Sequence, residues 1–226
     1  HWPAPPPSFY ALRRLASFMG LDYAPAVFRL VGDDAAVDLG AGAFHARQLI
    51  LQWSTHPLTR LSSPEDSSPA SERDPQIPAY HAHLGSYTPA TGHIVLAGPT
   101  IDAVAESLHR APRHVGSVTL LHLSVLGMLH NGIDLDGQRW EGFSIDPMPP
   151  ATVALAQLFV HRFLLELDDE HLLDAFEALT DAQPPEYGAW RAMTHLSLED
   201  ARAWMMSLRR GTRPAPIDLD ALLRAQ

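Results

Sequence analysis

The chain has 226 residues, 46% of them hydrophobic, and a formal net charge of −10. That apolar share is enough for a packed core, and the negative balance argues against the basic face that nucleic acid requires and against binding to anionic membrane surfaces. All 16 basic residues are Arg and Cys is absent, which excludes Schiff-base and P-loop lysine chemistry, disulfides, thiolate metal sites and Cys nucleophiles.

The missing lysine fits either coding bias toward Ala, Arg, Pro and Leu or selection against lysine-directed modification. No run reaches the roughly 18 apolar residues of a membrane span. The opening HWPAPPPSFY lacks the basic start and apolar run of a signal peptide. The expectation is a soluble, cytoplasmic protein with one domain, or one domain and an appended segment.

Residues 1–8 are Pro-rich and read as an extended arm. Residues 9–21 carry Leu12, Leu15, Phe18 and Met19 at helical spacing, with Arg13 and Arg14 on the other face and Gly20 as a stop. Residues 26–32 and 35–39 read as short strands around the turn Gly32-Asp33-Asp34. Residues 43–53 fit strand or helix, with the Ile50-Leu51 end read as strand. Residues 54–78 are dominated by Ser, Pro, Asp and Glu. They read as a surface loop or linker, either passive or an inserted lid.

Two runs, HAHLGSY and GHIVLA, flank the turn at 88–92 and predict a β-hairpin. Pro99 and Thr100 then open a helix, with Thr100 as its N-cap and Ile101, Val104, Ala105 and Leu108 as its apolar face. Pro112 opens the next helix, which ends at Asn131-Gly132. Residues 115–129 of that helix hold no charged side chain, so it reads as the central buried element. Asp134-Leu135-Asp136-Gly137 begins like a calcium loop, but Ile145 stands where the loop needs a bidentate Glu, and a turn is expected.

Residues 151–167 form a second apolar helix, whose exceptions are Thr152, Gln157, His161, Arg162 and Glu166. Arg162 and Glu166 are spaced for an i,i+4 ion pair. An amphipathic helix is expected over 168–179, and another opens at Pro184-Pro185 and runs to about Thr194. Ser197-Leu198-Glu199-Asp200 is a capping box for a helix that stops at Gly211. Residues 212–226 read as a tail.

Gly116 and Gly127 share one face of the central helix, where another element can approach closely. His122 lies with Val118, Val125, Leu126 and Leu129. A neutral imidazole in that setting needs a polar partner. Gln157 and His161, four residues apart on the second apolar helix, are the candidates. The expected site is therefore His122, Gln157 and His161, as a hydrogen-bonded core pair. A metal or catalytic role for His122 is the alternative.

The hairpin LGSYTPATGHIVL, the helix TIDAVAESL, the helix opening PRHVGSVTLLH, and the later NGIDLDGQRWEGF and LAQLFVHRF together resemble a zincin-type metallopeptidase family over roughly residues 84–190. The resemblance implies a strand followed by a helix carrying H-E-x-x-H, with a later helix supplying a third ligand, often Glu. Laid on that motif, the chain reads His122-Leu123-Ser124-Val125-Leu126. The first ligand position matches. Leu123 replaces the general base and Leu126 the second ligand. Thr152, Val153 and Ala154 stand where the third ligand is expected. Aliphatic side chains there cannot bind zinc or activate water.

His130 cannot complete a site with His122, because eight helical residues span about 12 Å along the axis. A rebuilt metal site would need His122 with His161 or a hairpin histidine. His81-Ala82-His83 puts two imidazoles on one strand face, a spacing that suits a metal and is equally ordinary on a solvent-facing strand. His93 is the third hairpin candidate. Neither G-x-S-x-G nor G-x-G-x-x-G occurs. Glu166, Asp168, Asp169 and Glu170 cluster at a helix junction, where capping and solvation account for them.

The expected fold is α+β and zincin-like, a small antiparallel sheet beside a mainly helical C-terminal half. Its parts are an N-terminal region at 1–53, the loop at 54–78, the core at 79–211 and the tail at 212–226. The expected function is that of a catalytically inactive metallopeptidase-like domain serving as a protein-binding or structural module, with another protein as partner and no resident cofactor. The alternative is a peptidase with a non-standard zinc site on His122, His161 and a hairpin histidine. A third class is an assembly partner working through the 54–78 loop or the Pro-rich arm.

Overall fold

The computed structural model describes residues 9–20, 27–31, 48–54, 84–88, 93–131 and 150–209. Helix α1 (Phe9–Phe18) precedes strands β1 (Val27–Val31), β2 (Gln48–Ser54), β3 (Gly85–Thr88) and β4 (His93–Ala97). Helices α2 (Gly98–Ser107), α3 (Pro112–Asn131), α4 (Pro150–Leu167), α5 (Glu170–Ala182), α6 (Pro185–Gly188) and α7 (Leu198–Arg209) follow, with a 3-10 turn at Ala189–Met193. The α+β class holds. The expected strand at 35–39, most of the 54–78 loop, the turn at 134–137 and the 212–226 tail lie outside the described residues, as do His81 and His83.

The sheet corrects one expectation. Its strand order is β1-β2-β4-β3, and only the β3–β4 hairpin is antiparallel. β1 pairs with β2 and β2 with β4 in parallel. Residue periodicity reports which side chains are buried, not the direction of the neighbouring strand. Parallel pairing also needs long connections, and only the hairpin has a short one.

Helix α3 lies at the centre. It packs on β3 and β4 and against α1, α2, α4 and α5. Every residue from Val118 to Leu129 is buried, as expected of a helix with no polar face. In α4 the nine residues at 152–160 are buried, as are Phe163 and Leu164. Phe163 stacks tilted on Phe18 at 5.8 Å and so ties α1 to α4. Burying Phe163 contributes roughly 1.5–3 kcal/mol.

β4 runs directly into α2. The N-cap of α2 is Ala97, without a side-chain cap, so Thr100 lies inside the first turn instead of capping it. Pro99 is tolerated there because the first helical amides have no intrahelical acceptor. A Cβ on Gly98 would fall 2.5 Å from Nε1 of Trp53, so this strand-to-helix junction requires glycine. At Gly116, by contrast, a Cβ would meet Trp53 and Ile101 at 3.7–3.9 Å. That is ordinary contact, so Gly116 does not make the close approach expected of it.

The C-terminal helices are capped as their sequence predicts. Asp169 accepts from the amides of His171 and Leu172, each at 3.1 Å, to start α5. At α7, Ser197 Oγ accepts from the Asp200 amide at 3.0 Å while Asp200 Oδ2 accepts from the Ser197 amide at 3.2 Å. The Ser197 hydroxyl also donates to Asp200 Oδ2 at 2.6 Å, and this bond first, with the one from the Ser197 amide, holds the Asp200 carboxyl below the usual carboxylate range. Arg202 of α7 donates from Nε to the Phe18 carbonyl at 2.9 Å, which satisfies an orphan acceptor at the end of α1.

Arg162 and Glu166 do not form the i,i+4 pair. Arg162 donates to the carbonyls of Thr194 and Leu196, and Glu166 pairs with Arg14 at 2.8 Å. Main-chain acceptors ahead of α7 offer Arg162 a half-buried bond, where a neighbouring carboxylate offers only a solvated one. Arg162→Met, which keeps the apolar stem, is expected to cost about 1–3 kcal/mol by leaving those carbonyls without their donor. Glu166→Gln is expected to cost under about 1 kcal/mol, since its ion pair is exposed. Urea denaturation of both variants checks the contrast.

Candidate functional site

The candidate site lies on α3 and α4 and on the short segment after α5. His122 is 8% exposed. Burial pushes its imidazole down to about 4, so it is neutral at physiological pH. Its ring faces Tyr187 of α6, with centroids 5.7 Å apart and planes tilted by 44°. His122 Nδ1 is buried without a hydrogen-bond partner.

The other two residues of the expected site are on α4. Gln157 is 4% exposed, and its Oε1 has no hydrogen-bond partner. His161 packs on Trp190 at 4.1 Å and on Phe176 at 5.7 Å, again with Nδ1 unpartnered. Its pKa is lowered first by burial, with Arg162 and Arg191 adding to the shift and Glu177 opposing it. The expected core pair is therefore not formed through these atoms. Each histidine is seated against aromatic rings instead.

Tyr187 and Trp190 were not singled out in the sequence. Their signal was present in PPEYGAW. Paired prolines confine the chain to a tight turn, and two aromatics three residues apart on such a turn aim into whatever it covers.

The positions that a zinc motif would use for its base and its other two ligands hold neither carboxylate nor imidazole. Leu123 and Leu126 are 7% and 3% exposed, and Thr152, Val153 and Ala154 of α4 are buried. Leu123 rests against the edge strand. A Cβ on Gly85 would lie 2.7 Å from Leu123 Cδ1 and 2.6 Å from the carbonyl oxygen of Val95. β3 can approach α3 this closely only because residue 85 has no side chain. Gly85→Ala is expected to destabilise the protein by about 1–3 kcal/mol, because one of the two obstacles is backbone and cannot turn aside. Adding Leu123→Ala should relieve only the clash with Leu123 and not the one with the Val95 carbonyl, leaving the double variant short of the stability of Leu123→Ala alone. Thermal denaturation of the three variants measures this.

His93 opens β4 opposite Thr88. It is half-buried, with its pKa lowered by burial and its Nε2 unpartnered. Among the described residues no group of three or more His, Asp or Glu side chains is placed to hold a metal ion, and no helix is long and apolar enough to cross a membrane. Chemically the site offers neutral imidazoles, a buried amide and aromatic faces. No family model, curated protein or solved structure matches this chain.

Proposed function

We propose that this chain is a catalytically inactive, zincin-like metallopeptidase domain that serves as a protein-binding or structural module. The observation that carries this reading is the packing of Leu123. The residue standing where the motif calls for a general base is buried against Gly85 of the edge strand. Leu126, where a second ligand belongs, is equally buried. A water-activating site needs a carboxylate and an open coordination position there, and aliphatic side chains supply neither. The order of elements also supports it: a hairpin, then α2, then a buried α3 carrying the first-ligand histidine, then α4.

A peptidase with a zinc site built on His122, His161 and a hairpin histidine is the competing reading. The unpartnered nitrogens of His122, His161 and His93 favour it. Metal analysis of the purified full chain separates the two. The inactive reading expects no zinc dependent on His122 and no peptide hydrolysis. Stoichiometric zinc that is lost in His122→Ala, together with hydrolysis of a casein substrate, would overturn it.

A further inference from the structure

Residues 185–193, which are α6 and the 3-10 turn after it, pack on α4 as a short strap. The strap leaves α5 at Pro184 and Pro185, whose fixed φ stiffens that end. Its main-chain bonds are local. The Tyr187 amide donates to the Pro184 carbonyl at 2.9 Å, and just past the strap the Leu196 amide donates to the Met193 carbonyl at 3.0 Å. Helical pieces this short do not persist without the surface they pack on.

Side chains fasten the strap to the body. Tyr187 faces His122 of α3, and Trp190 packs on His161 of α4 and on Phe176 of α5. Arg191 pairs with Asp181 of α5 at 2.6 Å. Arg162 of α4 holds the carbonyls of Thr194 and Leu196 just beyond the turn. Ala189, Trp190 and Met193 are buried, so the closed arrangement dominates.

The seam beneath the strap is nevertheless poorly satisfied. Trp190 Nε1 on the strap is buried without a hydrogen-bond partner, and so are His122 Nδ1 on α3 and His161 Nδ1 on α4. Gln157 Oε1 is in the same state, one turn before His161 on the same face of α4. A buried polar atom without a partner has given up its hydration for nothing and recovers it when water enters. Parting this seam therefore loses less than parting an apolar interface of the same area.

We infer that residues 185–196 form a strap that opens as a local unit while α3, α4 and the sheet stay folded, and that it gates access to His122, Gln157 and His161 together. Arg162 is its latch, because the two carbonyls it holds lie at the end opposite the prolines.

The test is native-state hydrogen exchange of the full chain, followed by mass spectrometry at pH 7 across low urea concentrations. Amides at 187–196 are expected to exchange through an opening with a much smaller urea dependence than that of the α3 amides, which wait for global unfolding. Arg162→Met should speed exchange in the strap about tenfold, the equivalent of one lost hydrogen bond. Gln157→Met, which replaces the unpaired acceptor with an apolar side chain of similar length, should slow it several-fold. The small urea dependence should persist in both variants. The inference is overturned if strap and α3 amides share one urea dependence, since the strap then opens only when the whole protein unfolds. It is equally overturned if Arg162→Met leaves strap exchange unchanged, or if Gln157→Met speeds it.

Discussion

Leu123→Glu, which restores the residue that the zinc-peptidase motif calls for, is expected to lower stability by about 3–5 kcal/mol at pH 7.5, the cost of an uncompensated buried charge. Leu123 is 7% exposed and faces Gly85 and the inner side of the hairpin. The wild-type side chain packs within the hydrophobic core. For a protein of this size the loss corresponds to a fall in Tm of about 6–20 °C. Burial would raise the folded-state pKa of the new carboxyl above its unfolded value. The penalty is then greatest well above that raised pKa and shrinks as pH falls and the group protonates. Added zinc should not rescue the variant, because Leu126 and Val153 remain where ligands are needed. If Leu123→Glu were as stable as the wild type at neutral pH, position 123 would be solvated and the peptidase reading would gain.

His122 governs the second effect, an acid limb in the stability profile. Its folded-state pKa is about 4, and an unperturbed imidazole titrates near 6.5. Below about pH 6.5 the unfolded chain takes up a proton that the folded chain refuses. The stabilisation is complete above that pH and is lost progressively as pH falls toward 4. From one pKa unit being about 1.36 kcal/mol, the loss from His122 alone is about 2 kcal/mol at pH 5 and about 3 kcal/mol below pH 4. His122→Gln, which cannot take up that proton, should therefore lose less stability than the wild type between pH 7 and pH 5. Denaturant melts of both proteins at the two pH values give the difference directly. An identical acid limb in the variant would show that His122 is solvated. His161 and His93 are also shifted downward by burial, so a residual slope is expected in His122→Gln.

The two effects concern adjacent residues whose burial is legible in the sequence. Fifteen uncharged residues at 115–129 can only be satisfied inside a protein, and α3 is buried over that span apart from half-buried Ser117. The caps of α5 and α7 were legible for a similar reason, whereas the cap expected at Thr100 was not formed. Ser197 with Asp200, and Asp169 ahead of His171 and Leu172, bond to amides within three residues. Local geometry alone decides such contacts.

Contacts across the fold were not legible. Arg162 has a carboxylate four residues away, yet it bonds to carbonyls 32 and 34 residues on. His122 has two polar candidates on α4, yet its ring faces Tyr187. In both cases the spacing in the chain was right for a local partner, and packing of α4 against the α6 segment supplied another. The stacking of the His114 and His171 rings, with centroids 5.5 Å apart, had no local signal either. Each looks like an ordinary helix-surface residue until α3 and α5 lie side by side.

By itself the sequence determined which helices are buried, where several begin, and that the motif-like segment lacks its base and two ligands. These follow from side-chain chemistry and short-range hydrogen bonding. Only the tertiary structure decided the parallel direction of β1, β2 and β4, the seating of Leu123 on Gly85, and the aromatic surroundings of His122 and His161. Those depend on which faces meet after the chain closes on itself, and periodicity along one segment carries no record of the surface it will meet.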